Sequence, residues 1–230
     1  EAVKWYTKSA EQGLSGAQFM VANMYVSGEG VTQDYKEAAK WYARSAGQGY
    51  SRAQYSLAVM YYTGEGVTKD YKKAIKWYTK AAEQGVLDAQ FDLGLIYYGG
   101  EVVTKDYKKA IKWYTNAAEQ GHSGAQYVLA NMYFYGQGAT QDYKEAVKWY
   151  TKSAEQGLSG AQYALGFIYH SGMGVKIDNE LAYAWSAISA IEGEEAHVEL
   201  RDTIAKELST SVLEKAQNLA RNLYQKISDN

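Results

Sequence analysis

The stretch AQFMVANMYVSGEGVTQDYKEAAKWYARSAGQG, residues 17–49, decides the fold. Its first part, AQFMVANMYVSG, reads as a helix (helix A) closed by Gly28, a residue type suited to the left-handed conformation that ends many helices. An EGVTQ loop leads to Asp34, an N-cap whose carboxylate accepts from the unpaired amides of the next first turn. Helix B then runs through DYKEAAKWYARSAGQ to Gly49. At about 100° per residue, Ala38, Trp41, Tyr42, Ser45 and Ala46 share one face, and Lys36, Glu37, Lys40 and Arg44 share the other. Glu37, and Glu145 in a later copy, stand three residues after the capping aspartate and complete a capping-box pattern. The stretch is a helical hairpin with one packed side and one charged side.

The hairpin recurs. Trp5, Trp41, Trp77, Trp113, Trp149 and Trp185 are each 36 residues apart, and the same step carries Asp34 to Asp70, Asp106, Asp142 and Asp178. It also carries Ala17 to Ala53, Ala89, Ala125 and Ala161, so the chain is a repeat array. Residues 1–18 return unchanged at 145–162, which points to duplication of a multi-repeat block, because packing alone would not hold solvent-facing positions constant. The composition follows from this: 230 residues with 22 glycines, 23 tyrosines, six tryptophans and no proline are one inventory counted repeatedly. Without cysteine there is no disulfide, thiol nucleophile or zinc-thiolate site. A net charge of -2 argues against nucleic acid as a partner, and no run of about 20 apolar residues suggests membrane insertion.

Period and motif together resemble the Sel-1-like repeat family, relatives of the tetratricopeptide repeats. The unit from Ala89 to Gly121 carries the likeness in Ala89, Leu93, Gly94, Tyr97, Gly100, Asp106, Lys109, Ala110, Trp113, Tyr114, Ala117, Ala118 and Gly121. One departure is local: the loop glycine at Gly30, Gly66, Gly138 and Gly174 is Val102 in the third unit. If that position needs a positive φ, the valine is strained or its loop is rearranged. The expected architecture is all-α, and the resemblance implies a right-handed α/α superhelical solenoid of 36-residue helix-turn-helix repeats. The expected domains are a partial repeat over 1–16 holding helix B alone, an array over 17–193 with units starting near 17, 53, 89, 125 and 161, and capping helices over 194–230. The opening within a helix B suggests a fragment or processed form. At the other end, the likeness of Ala216, Gln217, Leu219 and Ala220 to the family's closing helix implies a native C-terminus, with Ser211 and Glu214 as a capping box.

Comparing the copies separates packing from freedom. Counting helix A from Ala17 as position 0, positions 0, 1, 4, 5, 7 and 8 are nearly constant and fill one arc, whereas positions 3, 6, 9 and 10 vary and fill the opposite one. The variable arc is the candidate partner surface: Met20, Asn23, Val26, Val59, Tyr62, Asp92, Leu95, Tyr98, Asn131, Phe134, Tyr135, Phe167 and His170. Many of these are apolar or aromatic, as at interaction sites, and Asn23 and Asn131 are able to hydrogen-bond a peptide main chain. The competing reading is that the arc packs between neighbouring repeats. The resemblance implies that helix A lines the concave side, where partners bind. The Trp-Tyr pairs are read as buried core beside small alanines.

No catalytic, cofactor-binding or metal site is expected. His122, His170 and His197 lack ligand spacing and read as surface residues, and the helix-B lysines read as a solvated face. Neither a nucleotide-binding glycine loop nor a Ser-x-x-Lys or Lys-Thr-Gly motif occurs, and Ser228-Asp229-Asn230 reads as chance. The leading expectation is a non-enzymatic scaffold binding a protein or peptide. Two alternatives stay open, a periplasmic β-lactam or cell-wall-active hydrolase and an architectural spacer. The resemblance favours a periplasmic or secreted location, with a cytoplasmic one left open.

Overall fold

A computed structural model describes residues 2–229; Glu1 of the expected partial repeat and Asn230 of the terminal triplet lie outside the described residues. Among the described residues all regular structure is helical. The chain divides into two compact units, residues 1–105 and 106–230. The first holds α1 (Ala2–Glu11), α2 (Ser15–Ser27), α3 (Tyr35–Gly47), α4 (Ser51–Thr63), α5 (Tyr71–Glu83) and α6 (Leu87–Gly99). The second holds α7 (Tyr107–Glu119), α8 (Ser123–Tyr135), α9 (Tyr143–Ala154), α10 (Ser159–Ser171), α11 (Asn179–Ser189), a 3-10 turn (Ala190–Glu192), α12 (Glu195–Glu207) and α13 (Thr210–Ser228). Even-numbered helices from α2 to α10 are helix A of a repeat, and odd-numbered ones from α1 to α11 are helix B.

Helix B starts where its aspartate allows. Asp34 Oδ1 accepts from the Lys36 and Glu37 amides at 2.9 and 3.1 Å, and Asp142 accepts likewise from Lys144 and Glu145. The reciprocal half of the expected capping box is not formed. The Asp34 amide already donates to the Tyr25 carbonyl across the loop at 2.9 Å, as Asp142 does to Tyr133, so Glu37 and Glu145 pair with Lys40 and Lys148 instead. Helix A begins at a serine or leucine two residues before the repeated alanine, and only α8 has a side-chain cap, the Ala125 amide donating to His122 Nδ1 at 3.0 Å. In α13 the helix starts at Thr210, so Ser211 lies inside the first turn and does not act as its cap.

Packing rests on small residues and a buried glutamine. Ala22, Ala38, Ala53, Ala74, Ala110, Ala125, Ala146 and Ala161 are fully enclosed, which brings helix backbones close together. Gln18, Gln54 and Gln90 each donate from Nε2 to a carbonyl of the preceding helix B, on Ala10, Ala46 and Ala82, at 3.0–3.3 Å. Gln126 and Gln162 do the same to Ala118 and Ala154. The Oε1 atoms of Gln18, Gln54 and Gln126 accept from Gln48, Gln84 and Gln156 at the end of the following helix B, at 2.7–2.8 Å.

The expectation for the Trp-Tyr pairs needs correcting. Tyr42, Tyr78 and Tyr150 are buried, but Trp5 is 65% exposed and Trp41 and Trp77 only half-buried; Trp113, Trp149 and Trp185 are enclosed. About 100° separates the paired residues, so tyrosine points inward and tryptophan toward the edge, where cationic side chains cover it. Arg44 lies 4.5 Å from the Trp41 ring centroid, Lys80 4.8 Å from Trp77 and Lys152 4.4 Å from Trp149. Part of the helix-B charge is thus a cation-π cover as well as a solvated face.

The third loop takes the second of its two expected courses. Gly66 has φ +70°, and a Cβ there would stand 2.1 Å from the Tyr35 carbonyl oxygen, so only glycine fits. No non-glycine among the described residues has a positive φ, so Val102 lies in ordinary backbone space and its loop is rearranged.

Replacing Gln126 by alanine should remove two side-chain hydrogen bonds, the one to the Ala118 carbonyl, which keeps the Gly121 amide as a donor, and the one from Gln156, and cost about 1–3 kcal/mol, read by urea unfolding; an unchanged midpoint would contradict this account. The acid limb supplies a second test. The backbone hydrogen bond from Lys73 holds Asp70 below its usual 3.8, and that from Lys109 does the same for Asp106. Both carboxyls are more acidic folded than unfolded, so their contribution is complete above about pH 4 and disappears as pH falls through the folded values. Asparagine caps without titrating; the D70N/D106N protein should therefore lose less thermal stability on acidification than the parent.

Candidate functional site

The variable arc of helix A lies at the surface and forms three grooves in one register. In the first unit, one groove of about 300 Å³ runs between α2 and α4, lined by Val26, Tyr42, Tyr55, Ser56, Val59, Met60 and Glu65 among others. Another, of about 350 Å³, runs between α4 and α6, lined by Tyr62, Tyr78, Asp92, Leu95, Ile96, Tyr98, Gly99, Glu101 and Val102. In the second unit a groove of about 260 Å³ runs between α8 and α10, with Asn131, Phe134, Tyr135, Tyr150, Ala164 and Phe167 in its lining. In each, position 9 of one helix A (Val26, Tyr62, Phe134) faces positions 3 and 6 of the next (Ser56 and Val59, Asp92 and Leu95, Ala164 and Phe167), and a buried helix-B tyrosine forms the floor.

Those floor tyrosines were not among the residues expected from the sequence. Their signal lies in the Tyr that follows five of the six tryptophans, a pattern that reads as core. Tyr42 donates its hydroxyl to Asn23 Oδ1, and Tyr150 to Asn131 Oδ1, both at 2.6 Å. The carbonyl ends of the two asparagines are therefore engaged within the repeat, which narrows the expected role toward a ligand main chain. In the middle groove Asp92 lies beside Tyr78 and Tyr55. Burial pushes both phenols well above the usual tyrosine range, and the Asp92 charge adds to it. Burial likewise raises Tyr150, with Tyr127 and Tyr135 adding to it, and raises Tyr42, whose shift a hydrogen bond with Ser56 partly offsets.

The remaining expected residues divide into two sets. Leu95 is 44% exposed, Tyr135 64% and Phe167 38%, and Met20 is also exposed on α2. Tyr62 and Phe134 are half-buried and serve two purposes. Tyr62 meets Tyr71 and Tyr78 edge-on at 5.3 and 6.4 Å, and Phe134 meets Tyr143 and Tyr150 at 5.1 and 6.4 Å. Wall and core are one aromatic cluster there. Val26, Val59, Asp92, Tyr98, Asn23, Asn131 and His170 are half-buried as well.

Two of the three histidines depart from the surface reading. His170 Nδ1 lies 3.8 Å from Glu207 Oε2, so this side chain addresses α12 and not an open groove. His197 is only 5% exposed: its ring stacks on Tyr163 with centroids 4.6 Å apart, and Nδ1 is 3.0 Å from the Ser189 carbonyl oxygen. The reason is tertiary, since α12 folds back against α11 and α10, while Ala182, Tyr183, Ile204 and Ala216 close the interior shared by α11, α12 and α13. Among the described residues no three His, Cys, Asp or Glu side chains gather to hold a metal ion, and no helix is long and apolar enough to cross a membrane.

The Sel1 repeat pattern matches six consecutive segments, residues 1–14, 15–50, 51–86, 87–122, 123–158 and 159–193. The chain belongs to the Sel1 repeat family. Its fold is similar to that of a protective antigen present in uropathogenic Escherichia coli strains, which displays an SLR fold. The TM-score is 0.80 at 38% identity, over 98% of this chain and 48% of the antigen's, so the chain spans about half the antigen's length. A Sel1 repeat protein from Oxalobacter formigenes is similar with a TM-score of 0.70 at 34% identity, over 91% of this chain and 88% of that one. No curated protein matches. Sel1 repeat proteins are in general non-catalytic scaffolds for protein interaction, and the all-α solenoid class of this chain is theirs.

The buried floor has an alkaline signature. A phenol raised above its usual 10 contributes stability that is complete below about pH 10 and lost as pH climbs above it. In an alkaline titration of this Sel1 repeat chain, part of the tyrosinate absorbance should appear only together with loss of helical circular dichroism. The Y150F protein should show less of that lagging fraction; full ionisation with helices intact would refute the assignment.

Proposed function

We propose that the chain is a non-enzymatic scaffold that binds a peptide or protein along the helix-A surface of its repeats. One observation carries this reading: three grooves recur at the same repeat positions, two of them rimmed by exposed apolar residues (Leu95 in one, Tyr135 and Phe167 in the other), on the arc where the copies differ most. Exposed large apolar side chains around a concavity gain from being covered, and aromatic residues commonly supply the dominant contacts of an interface. Helix B supports the same division, since its outer face carries lysine and glutamate pairs that gain little from being covered. The proposed contact set is Met20, Val26, Val59, Leu95, Tyr98, Tyr135 and Phe167 for apolar area, with Asn23, Asp92 and Asn131 as polar neighbours and Tyr62 and Phe134 as walls; His170, turned toward α12, is left out of it.

A face-selective crosslink tests it. A photoreactive side chain at Phe167 or Tyr135 should yield a discrete adduct in native lysate, and one at Lys76 on the helix-B face should not. The L95A/Y135A/F167A protein should lose the adduct while circular dichroism is retained, with about 0.5 kcal/mol or less lost at each exposed site. Adducts from Lys76 alone, or adducts untouched by the triple change, would overturn the proposal.

A further inference from the structure

We infer that the groove between α4 and α6 receives a cationic side chain, arginine or lysine, of the bound polypeptide, an assignment that rests on helix A being the binding surface. Three grooves share one register but differ in charge. The α8–α10 groove has no charged residue in its lining, the α2–α4 groove has Glu65, and the α4–α6 groove has both Asp92 and Glu101. None of the three is lined by lysine or arginine. Asp92 is distinctive: position 3 of helix A is Met20, Ser56, Val128 or Ala164 in the other copies. The rearranged Val102 loop adds an apolar contact to the same groove.

The groove therefore has two chemical parts. Leu95, Ile96 and Val102 offer apolar surface to the methylene stem of a long side chain. Asp92, half-buried beside the Tyr78 phenol, and Glu101 at the rim offer anionic oxygen to its head, and the Tyr62 and Tyr98 rings line the same groove. A neutral side chain placed there would cover the Asp92 carboxylate, which the Tyr55 and Tyr78 hydroxyls already engage, without compensating its charge, so the groove discriminates by charge as well as by fit.

The full chain, carbon-13 labelled at its leucine and valine methyls, is titrated with N-acetyl-arginine amide, N-acetyl-lysine amide and the neutral arginine isostere N-acetyl-citrulline amide. A saturable shift of the Leu95 and Val102 methyls is expected for at least one cation, with citrulline at least about tenfold weaker. The D92N protein should lose about tenfold in cation affinity, and the E101Q protein less. Should D92N fail to fold, L95K replaces a 44%-exposed residue and sets a cation in the groove from within; it should abolish the response of Val102. Equal response to citrulline, no response to either cation, or an unaltered affinity in D92N would overturn the inference. If the groove is silent to cations while the L95A/Y135A/F167A protein still loses its crosslinked partner, this assignment alone falls; if that protein keeps its partner, the helix-A reading falls with it.

Discussion

A buried glutamine side chain is the interaction on which the repeat depends. One carboxamide has a donor and an acceptor end, and in Gln18, Gln54 and Gln126 both ends are used, toward the helix B before it and the helix B after it. Buried polar groups are costly unless paired, so the position tolerates little sliding of one helix along another. The enclosed alanines bring the backbones close enough for the amide to reach both sides. Hydrophobic burial supplies most of the driving force in such an array, but it is non-directional; the carboxamide sets the register.

The same demand for a partner shapes the candidate surface. Each buried helix-B tyrosine carries a hydroxyl into the interior, where it needs a neighbour. Tyr42 and Tyr150 find Asn23 and Asn131 on the helix A of their own repeat. The second repeat has Val59 at that position, and there Asp92 of the next repeat stands beside Tyr78. Polar satisfaction of the core thus sets a carboxylate against a floor tyrosine in the α4–α6 groove. The structural and the proposed recognition roles of Asp92 arise from the same side chain, so copies of one hairpin can present different chemistry without changing the hairpin.

Much of this was legible in the repeat itself. The 36-residue step, the capping aspartates and the constant arc of helix A specify helical hairpins, and Gln18, Val21, Ala22 and Met24 are indeed the buried residues of α2. The variable arc was legible as surface, with Leu95, Tyr135 and Phe167 exposed on it. Tyr62 and Phe134 were harder to read, because a position that varies between aromatic and aliphatic residues looks free even when it leans on Tyr71 or Tyr143 across the hairpin. His197 was harder still, since it lies outside the repeat and its burial depends on where α12 turns back.

The sequence by itself determined the unit: period, helix boundaries to within a few residues, caps and inward face, all of which follow from local geometry that copies itself every 36 residues. Only the tertiary structure decided which of two adjacent aromatic residues is buried, what covers Trp41 and Trp77, how the Val102 loop runs, and that Asn23, Asn131 and Asp92 meet tyrosines from a facing helix. These depend on contacts between helices, whose side chains meet in space at separations that no spacing along the chain records.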